Sequence, residues 1–288
     1  MGQTSVVADT THYLPGALVA AEQIHEVSLH VSLEGHEQRE SEITDYDEFY
    51  GRLARSAESV ATSQPSVGEF IEVYEPLLAD GGEIVSIHLS AGISGTFESA
   101  RQARQTLIDD GRGGERIELY DSRSAAGGFA LVVLAASRAA ASGASATEAA
   151  ARARQAREAL QMWFAVDTLE YLRRGGRIGG AQAFIGSRLQ IKPILTMEEE
   201  VKAVDKVRTR RRVYDRLLEY ARTVHEQGSD AWLLQHIQDP ETIERLRADC
   251  TEIFGRPPVL VSEIGPVLGS HSGPGLLGIG AMPAALLD

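Results

Sequence analysis

The chain has 288 residues, enough for one large or two medium domains, because single cores stop growing near ~250–300 residues. Apolar residues make up 43% and charged residues 24%, the mix of an ordinary globular protein with a sizeable core. The net charge of −13 argues against general nucleic-acid or anionic-membrane binding, since both partners are themselves negative.

Ser5–Ala8 reads as a strand closed by the turn-forming Asp9-Thr10-Thr11, and Ile24–Leu33 as a second β-rich run. Tyr46, Phe49, Tyr50 and Leu53 recur at helical spacing and predict a helix over Asp45–Ala57. Another helix is expected over Ser66–Ala79, with Ser66 and Glu69 spaced as a capping box. Ile84–Leu89 is a buried-type strand, and the Gly92 loop after it leads into a helix from about Gly95 to Ile108. Ile117–Tyr120 is a short strand, followed by Ala-rich helices over Gly127–Ser142 and Ala146–Leu160. Alternating β and α units predict a parallel sheet with helices on both faces. Such sheets bind ligands at the carboxyl ends of their strands, where Asp9, Ser90, Ser94 and Asp121 fall.

The second half reads as a separate α/β unit with a mixed sheet. Trp163–Val166 is a strand running into a helix over Leu169–Arg174, which the Gly175-Gly176 pair breaks. A helix over Ala181–Leu189, strands over Ile191–Leu195 and Val201–Val207, and a long helix over Arg210–Gln227 follow. Strands over Ala231–Ile237 and Pro258–Glu263 flank a helix over Pro240–Phe254, and the glycine-rich Gly269–Leu276 precedes a last β-type run. The division is set at 1–160 for the N-terminal parallel α/β domain and 161–288 for the C-terminal one.

The lone cysteine, Cys250, has no internal disulfide partner, and the eight histidines lie outside zinc-ligand spacing. A reducing cytoplasmic location with no metal and no cofactor is expected. The N-terminal residues lack a basic region and a long apolar run, so no signal peptide is expected. Phe129–Ala136, the longest apolar stretch, is far short of the ~20 residues of a membrane span. From Arg173 to Arg212 eleven Lys/Arg face four Asp/Glu, so this segment carries about +7 and the rest about −20. That patch suits a localised anionic ligand or partner, and it equally suits a solvated Arg-rich helix surface.

Several motifs occur in a fixed order along the whole chain. Asp9-Thr10-Thr11 with Leu14-Pro15 opens the set, and Thr62-Ser63-Gln64-Pro65-Ser66 follows. Leu89-Ser90-Ala91-Gly92-Ile93-Ser94-Gly95-Thr96 and Leu172-Arg173-Arg174-Gly175-Gly176-Arg177-Ile178 come next. Leu189-Gln190-Ile191-Lys192-Pro193, Lys206-Val207-Arg208-Thr209 and His271-Ser272-Gly273-Pro274-Gly275 close it. In these motifs the chain resembles the DegV family, which includes the fatty-acid-binding subunit of bacterial fatty acid kinase. The resemblance implies a carrier without chemistry of its own. It would hold one long-chain fatty acid between two domains and present the carboxylate to an ATP-dependent kinase that makes the acyl phosphate. It assigns Thr62, Ser94, Gly95, Thr96 and His271 to the carboxylate, and Arg177, Lys206 and Arg208 to the phosphoryl group or to kinase docking. In place of the glycine-bearing hairpin turn usual after Lys192-Pro193-Ile194-Leu195, this chain has Glu198-Glu199-Glu200, so a longer or differently shaped hairpin is expected.

Residue chemistry agrees with the assignment. Burying a chain of ~16 carbons at ~0.8 kcal/mol per CH₂ gains ~12 kcal/mol gross. A buried carboxylate needs hydroxyl or amide donors, which Thr62, Ser94 and the helix start at Gly95 supply, while His271 favours the ionised form. Plainer roles stand beside these: Ser94 as a helix cap, Thr62 as a loop terminus, His271 as a structural histidine, Arg177 as a helix C-cap, and Asp9 and Asp121 as acceptors for loop amides. Two other functions fit the same residues less well. One is a binding protein for another lipid or a signalling ligand. The other is a serine hydrolase on Ser94, His271 and Asp121, for which Gly92-Ile93-Ser94-Gly95-Thr96 lacks the final glycine of a nucleophile elbow.

Overall fold

The structure is a computed structural model that describes residues 3–56, 60–185 and 191–288. β1 (Thr4–Asp9), α1 (Gly16–Ala21) and β2 (Ile24–Val27) open the chain, followed by β3 (His30–Leu33) and β4 (His36–Arg39). The β-rich run over Ile24–Leu33 is two strands, and they join different sheets. Ser28 and Leu29 make the corner, where the Ser28 hydroxyl donates to Leu29 O at 2.9 Å and Leu29 O also receives Glu40 N. α2 (Tyr46–Arg55) is capped by Asp45, and β5 (Ala61–Ser63) leads to α3 (Val67–Leu78), whose capping box forms as expected. The last residue of the helix expected over Asp45–Ala57 lies outside the described residues.

β6 (Glu83–His88), α4 (Thr96–Asp109), β7 (Ile117–Asp121), α5 (Ala126–Ala141) and α6 (Ala146–Ala159) complete the N-terminal half. β8 (Gln161–Ala165), α7 (Glu170–Arg174), β9 (Lys192–Glu198), β10 (Glu200–Val207) and α8 (Arg210–Glu226) begin the other. β11 (Ala231–His236), α9 (Pro240–Phe254), β12 (Leu260–Glu263), α10 (Pro266–Ser272) and β13 (Leu277–Met282) finish it. Two expectations need correction here. The helix expected over Ala181–Leu189 is a 3₁₀ segment over Gly179–Phe184, and Arg188 and the Leu189-Gln190 pair lie outside the described residues. The glycine-rich segment at His271 is helical: α10 starts with Pro266 in its first turn and stops where Gly273 takes φ +78.

The N-terminal sheet is parallel, in the order β2-β1-β6-β7. The C-terminal sheet is mixed, β10-β9-β8-β13-β11-β12, with β11 and β12 its parallel pair. A small antiparallel sheet, β4-β3-β5, lies apart from both. α5 is buried between the two large sheets, packing on Val6, Ala8, Val85 and Ile87 of one and on Leu233 of the other. A helix covered on both sides must be apolar all round, which explains the run Phe129–Ala136 without any membrane. α3 and α4 cover the outer face of the parallel sheet, and α8 and α9 that of the mixed one. No helix among the described residues is long and apolar enough to cross a membrane.

The β9–β10 hairpin is short, not extended. Glu199 turns it with φ +65, a left-handed conformation usually left to glycine. The turn is held from outside, where Glu199 N donates to Arg123 O at 3.2 Å and the Ser90 hydroxyl donates to Glu199 O at 2.5 Å.

Candidate functional site

A cavity with about 1000 Å³ of empty space, part of it open to solvent, lies between α5, the mixed sheet and α10. Its walls are apolar and come from both halves: Leu29, Leu89 and Ile93 from one, Phe164, Leu172 and Leu276 from the other. The glycines on the path have a reason to be there. A Cβ on Gly127 in α5 would stand 3.1 Å from Leu233 Cδ2 and 3.0 Å from Gln235 Oε1, so bare backbone keeps helix and sheet close.

The polar lining is concentrated in Thr62, Ser63, Gln64, Ser94, Arg177 and His271, with Gly95 among them. Thr62 is held on β5 by pairing with Val31 of β3. Its hydroxyl lies 2.8 Å from His271 Nε2, which joins the small sheet to the end of α10. Ser94 precedes α4, whose N-cap is Gly95. The Ser94 hydroxyl lies 2.8 Å from Thr96 Oγ1 and accepts from Thr96 N at 3.3 Å, so it helps start the helix and still faces the cavity. Thr96, expected among the carboxylate ligands, is fully buried and does not line the cavity; its hydroxyl orients Ser94 instead.

Arg177, expected on the phosphoryl group or in kinase docking, lines the cavity. Nε donates to Ile93 O at 3.2 Å and Nη1 to Gly175 O at 2.6 Å, so the guanidinium bridges the Ser94 loop and the Gly175 turn. No carboxylate among the described residues forms an ion pair with it. His271 is the converse case. Burial, helped by the Arg177 charge, holds its imidazole down at about 4, so it is neutral at neutral pH. Of these two side chains, Arg177 therefore carries the positive charge on the cavity wall. Nδ1 of His271 is buried with no hydrogen-bond partner among the described residues, pressed against Gly175.

Lys206 and Arg208 lie elsewhere, exposed on and just beyond β10, the edge strand of the mixed sheet. Lys206 Nζ sits 5.4 Å from the centroid of the Phe184 ring, and neither side chain forms an ion pair among the described residues. Much of the remaining basic run is paired: Arg173 and Arg174 with Glu170, Lys202 with Glu198, and Lys192 and Arg210 with Asp167. Asp9 and Asp121 serve loops. Asp9 accepts from Thr11 N, Leu89 N and His88, and Asp121 accepts from Ala91 N and Arg123 N. A catalytic triad is not assembled, since Ser94 bonds Thr96, His271 bonds Thr62 and Asp121 faces backbone amides.

Gln64 was not singled out as a site residue, although it sits inside the Thr-Ser-Gln-Pro-Ser motif. A Cβ on Gly95 would stand 3.1–3.3 Å from its side-chain amide, which marks Gln64 as packed on the start of α4.

Hydroxyls, the start of a helix and one arginine thus line an otherwise largely apolar cavity. The family model described as "Uncharacterised protein, DegV family" matches residues 3–284, and the chain belongs to that family. A DegV domain-containing protein of Listeria innocua is 35% identical over 280 residues, 96% of each chain. Among solved structures, a fatty-acid-binding DegV family protein from Thermus thermophilus is 32% identical with a TM-score of 0.88, covering 98% of this chain and 99% of its own. DegV of Bacillus subtilis, a fatty acid binding protein, is 31% identical with a TM-score of 0.84, covering 98% of this chain and all of its own.

Proposed function

We propose that the chain is a fatty-acid carrier acting in the cytoplasm. It seats one long-chain fatty acid in the cavity with the carboxylate at Thr62, Ser94, Gly95, His271 and Arg177. A separate ATP-dependent kinase then converts that carboxylate to the acyl phosphate. The observation that carries the reading is the charge pattern of one cavity: apolar walls joined by Thr62, Ser94, the Gly95 N-cap of a 14-residue helix and an arginine that has no ion pair among the described residues. The fatty-acid binding of the Thermus and Bacillus relatives supports the same ligand class.

In this reading the site binds and orients. The Arg177 guanidinium and the α4 N-terminus keep the head group ionised, and a carboxylate oxygen is the nucleophile toward the γ-phosphorus of the kinase's ATP, with ADP leaving. Lys206 and Arg208 provide the docking charge. Lys206 stands on, and Arg208 just beyond, the strand that also gives Val201 to the cavity wall.

The test is calorimetric titration of delipidated protein with hexadecanoate. One ligand per chain is expected, and Thr62→Ala with Ser94→Ala should weaken binding by about 1–3 kcal/mol as the charged group loses donors. Wild-type affinity in the double variant would place the head group elsewhere. Charge reversal at Lys206 and Arg208 should leave the lipid bound and slow its phosphorylation by the kinase; an unchanged rate would remove the docking role.

A further inference from the structure

A second cavity, holding about 1420 Å³ and open to solvent, runs along the outside of the molecule beside β8. Two residues line both it and the inner cavity, Met162 and Met197, and they share no other wall. None of the polar head-group residues borders the outer groove. The junction exists because two strands part. β8 and β9 pair only at Phe164↔Leu195 and Ala165↔Ile194, so Gln161–Trp163 and Thr196–Glu198 diverge.

The backbone of this partition is fixed. Thr196 Oγ1 donates to Met162 O at 2.7 Å, and Arg157 Nη2 donates to Met197 O at 3.5 Å. Its side chains are soft. Both are unbranched thioethers that fill irregular gaps and change rotamer at low cost. Met162 Sδ lies against bare backbone, only 3.0 Å from where a Cβ on Gly128 would be. Past the partition the groove is mixed, with Arg123, Arg154, Arg157 and Glu158 on its walls beside apolar surface. Leu160 and the stacked Trp163–Tyr220 pair line it, the rings 4.1 Å apart. So does Val204, which is 37% exposed because the β10 register shifts between Ala203 and Asp205 and leaves it unpaired.

We propose that Met162 and Met197 form a yielding partition that lets the distal part of an acyl chain longer than the inner cavity pass into the outer groove and lie against Val204, Leu160 and Trp163. They are then the residues that set chain-length specificity. This rests on the fatty-acid reading and deepens it: the substrate class extends to chains too long for the inner cavity.

The experiment is a competition between hexadecanoate and docosanoate for delipidated protein, read as the ratio of bound species by native mass spectrometry. Wild-type protein should carry both acids. Val204→Trp, an exposed substitution that fills the groove without touching the inner cavity, should lower the docosanoate-to-hexadecanoate ratio about tenfold, the effect of losing contact for two buried methylenes. Met197→Ala and Met162→Ala should raise it. A ratio unmoved by Val204→Trp, or a wild-type protein that takes hexadecanoate and refuses docosanoate, overturns the proposal. A wild-type protein that takes neither acid overturns the fatty-acid reading itself.

Discussion

Replacing Gly175 by alanine should disable the head-group site through one atom. Gly175 has φ −75 and ψ −6, a conformation any residue adopts, so alanine brings no backbone strain. Its Cβ, however, would overlap His271 Nδ1 and stand 2.9 Å from Cε1 and 3.1 Å from Cγ. The imidazole must move by more than its 2.8 Å bond to Thr62 tolerates. Overpacking of ~1–3 kcal/mol and a lost hydrogen bond of ~0.5–1.5 kcal/mol follow, so hexadecanoate affinity should fall at least about tenfold. Gly176→Ala is the control. Its φ of +71 costs about 1 kcal/mol of stability, but nothing lies within 4 Å of the new Cβ, so affinity should hold. A double-mutant cycle with His271→Ala sharpens the assay: once the ring is gone, Gly175→Ala should have little further effect. Unchanged affinity in Gly175→Ala, or full additivity with His271→Ala, would refute the argument.

Arg177→Ala should weaken hexadecanoate binding by about 1.5–3 kcal/mol and leave the neutral hexadecanol almost unaffected, because the loss is that of a charge-assisted contact; equal losses for acid and alcohol would show a packing role instead. His271 should titrate near 4 in the ligand-free protein by NMR, against its ordinary 6.5. The unfolded chain then binds the extra proton first, so this residue makes stability fall as pH drops from about 6.5 toward 4. Hexadecanoate should move the titration upward, and a His271 that titrates normally without ligand would contradict its burial. Glu40 is buried and accepts from Thr10 Oγ1 at 2.6 Å, Tyr13 Oη at 2.8 Å and Val267 N at 2.8 Å, which ties α10 to the N-terminal half. Glu40→Ala strands those donors and should cost at least ~2 kcal/mol in chemical denaturation, whereas a loss below ~0.5 kcal/mol would mean that water replaces them.

The parallel sheet and most helix starts were legible because they depend on neighbours in sequence. Ser66 and Glu69 cap α3 whatever lies around it, and Asp45 caps α2. The β character of Ile24–Leu33 was legible and its split was not, because strand periodicity does not say when a chain changes sheets; only the Ser28-Leu29 corner does that. The helix carrying His271 was hidden by its own glycines, although Pro266 and Gly273 mark its start and stop. The Glu199 turn was misjudged for a related reason. Its left-handed conformation is stabilised by Ser90 and Arg123, which are remote in sequence.

Within the site, Thr62, Ser94, Gly95 and His271 were found through their motifs, and the structure gathers them on one cavity. Arg177 belonged with them. Local sequence shows an arginine between glycines, and only the fold shows that Ile93 O and Gly175 O turn it inward. The acyl walls were beyond reach for a different reason. They come from many elements, and an apolar residue facing an empty cavity has the same sequence pattern as one facing a filled core. The glycines of α5 and of β13, Gly278 and Gly280, were the available hint of a close approach.

The central claim is tested most directly by native mass spectrometry of the protein as purified from a bacterial host, before and after organic extraction. The account predicts one mass excess per chain that extraction releases as a long-chain fatty acid. A protein that purifies with a phospholipid or an isoprenoid, or that stays ligand-free and takes up no fatty acid after delipidation, would contradict it.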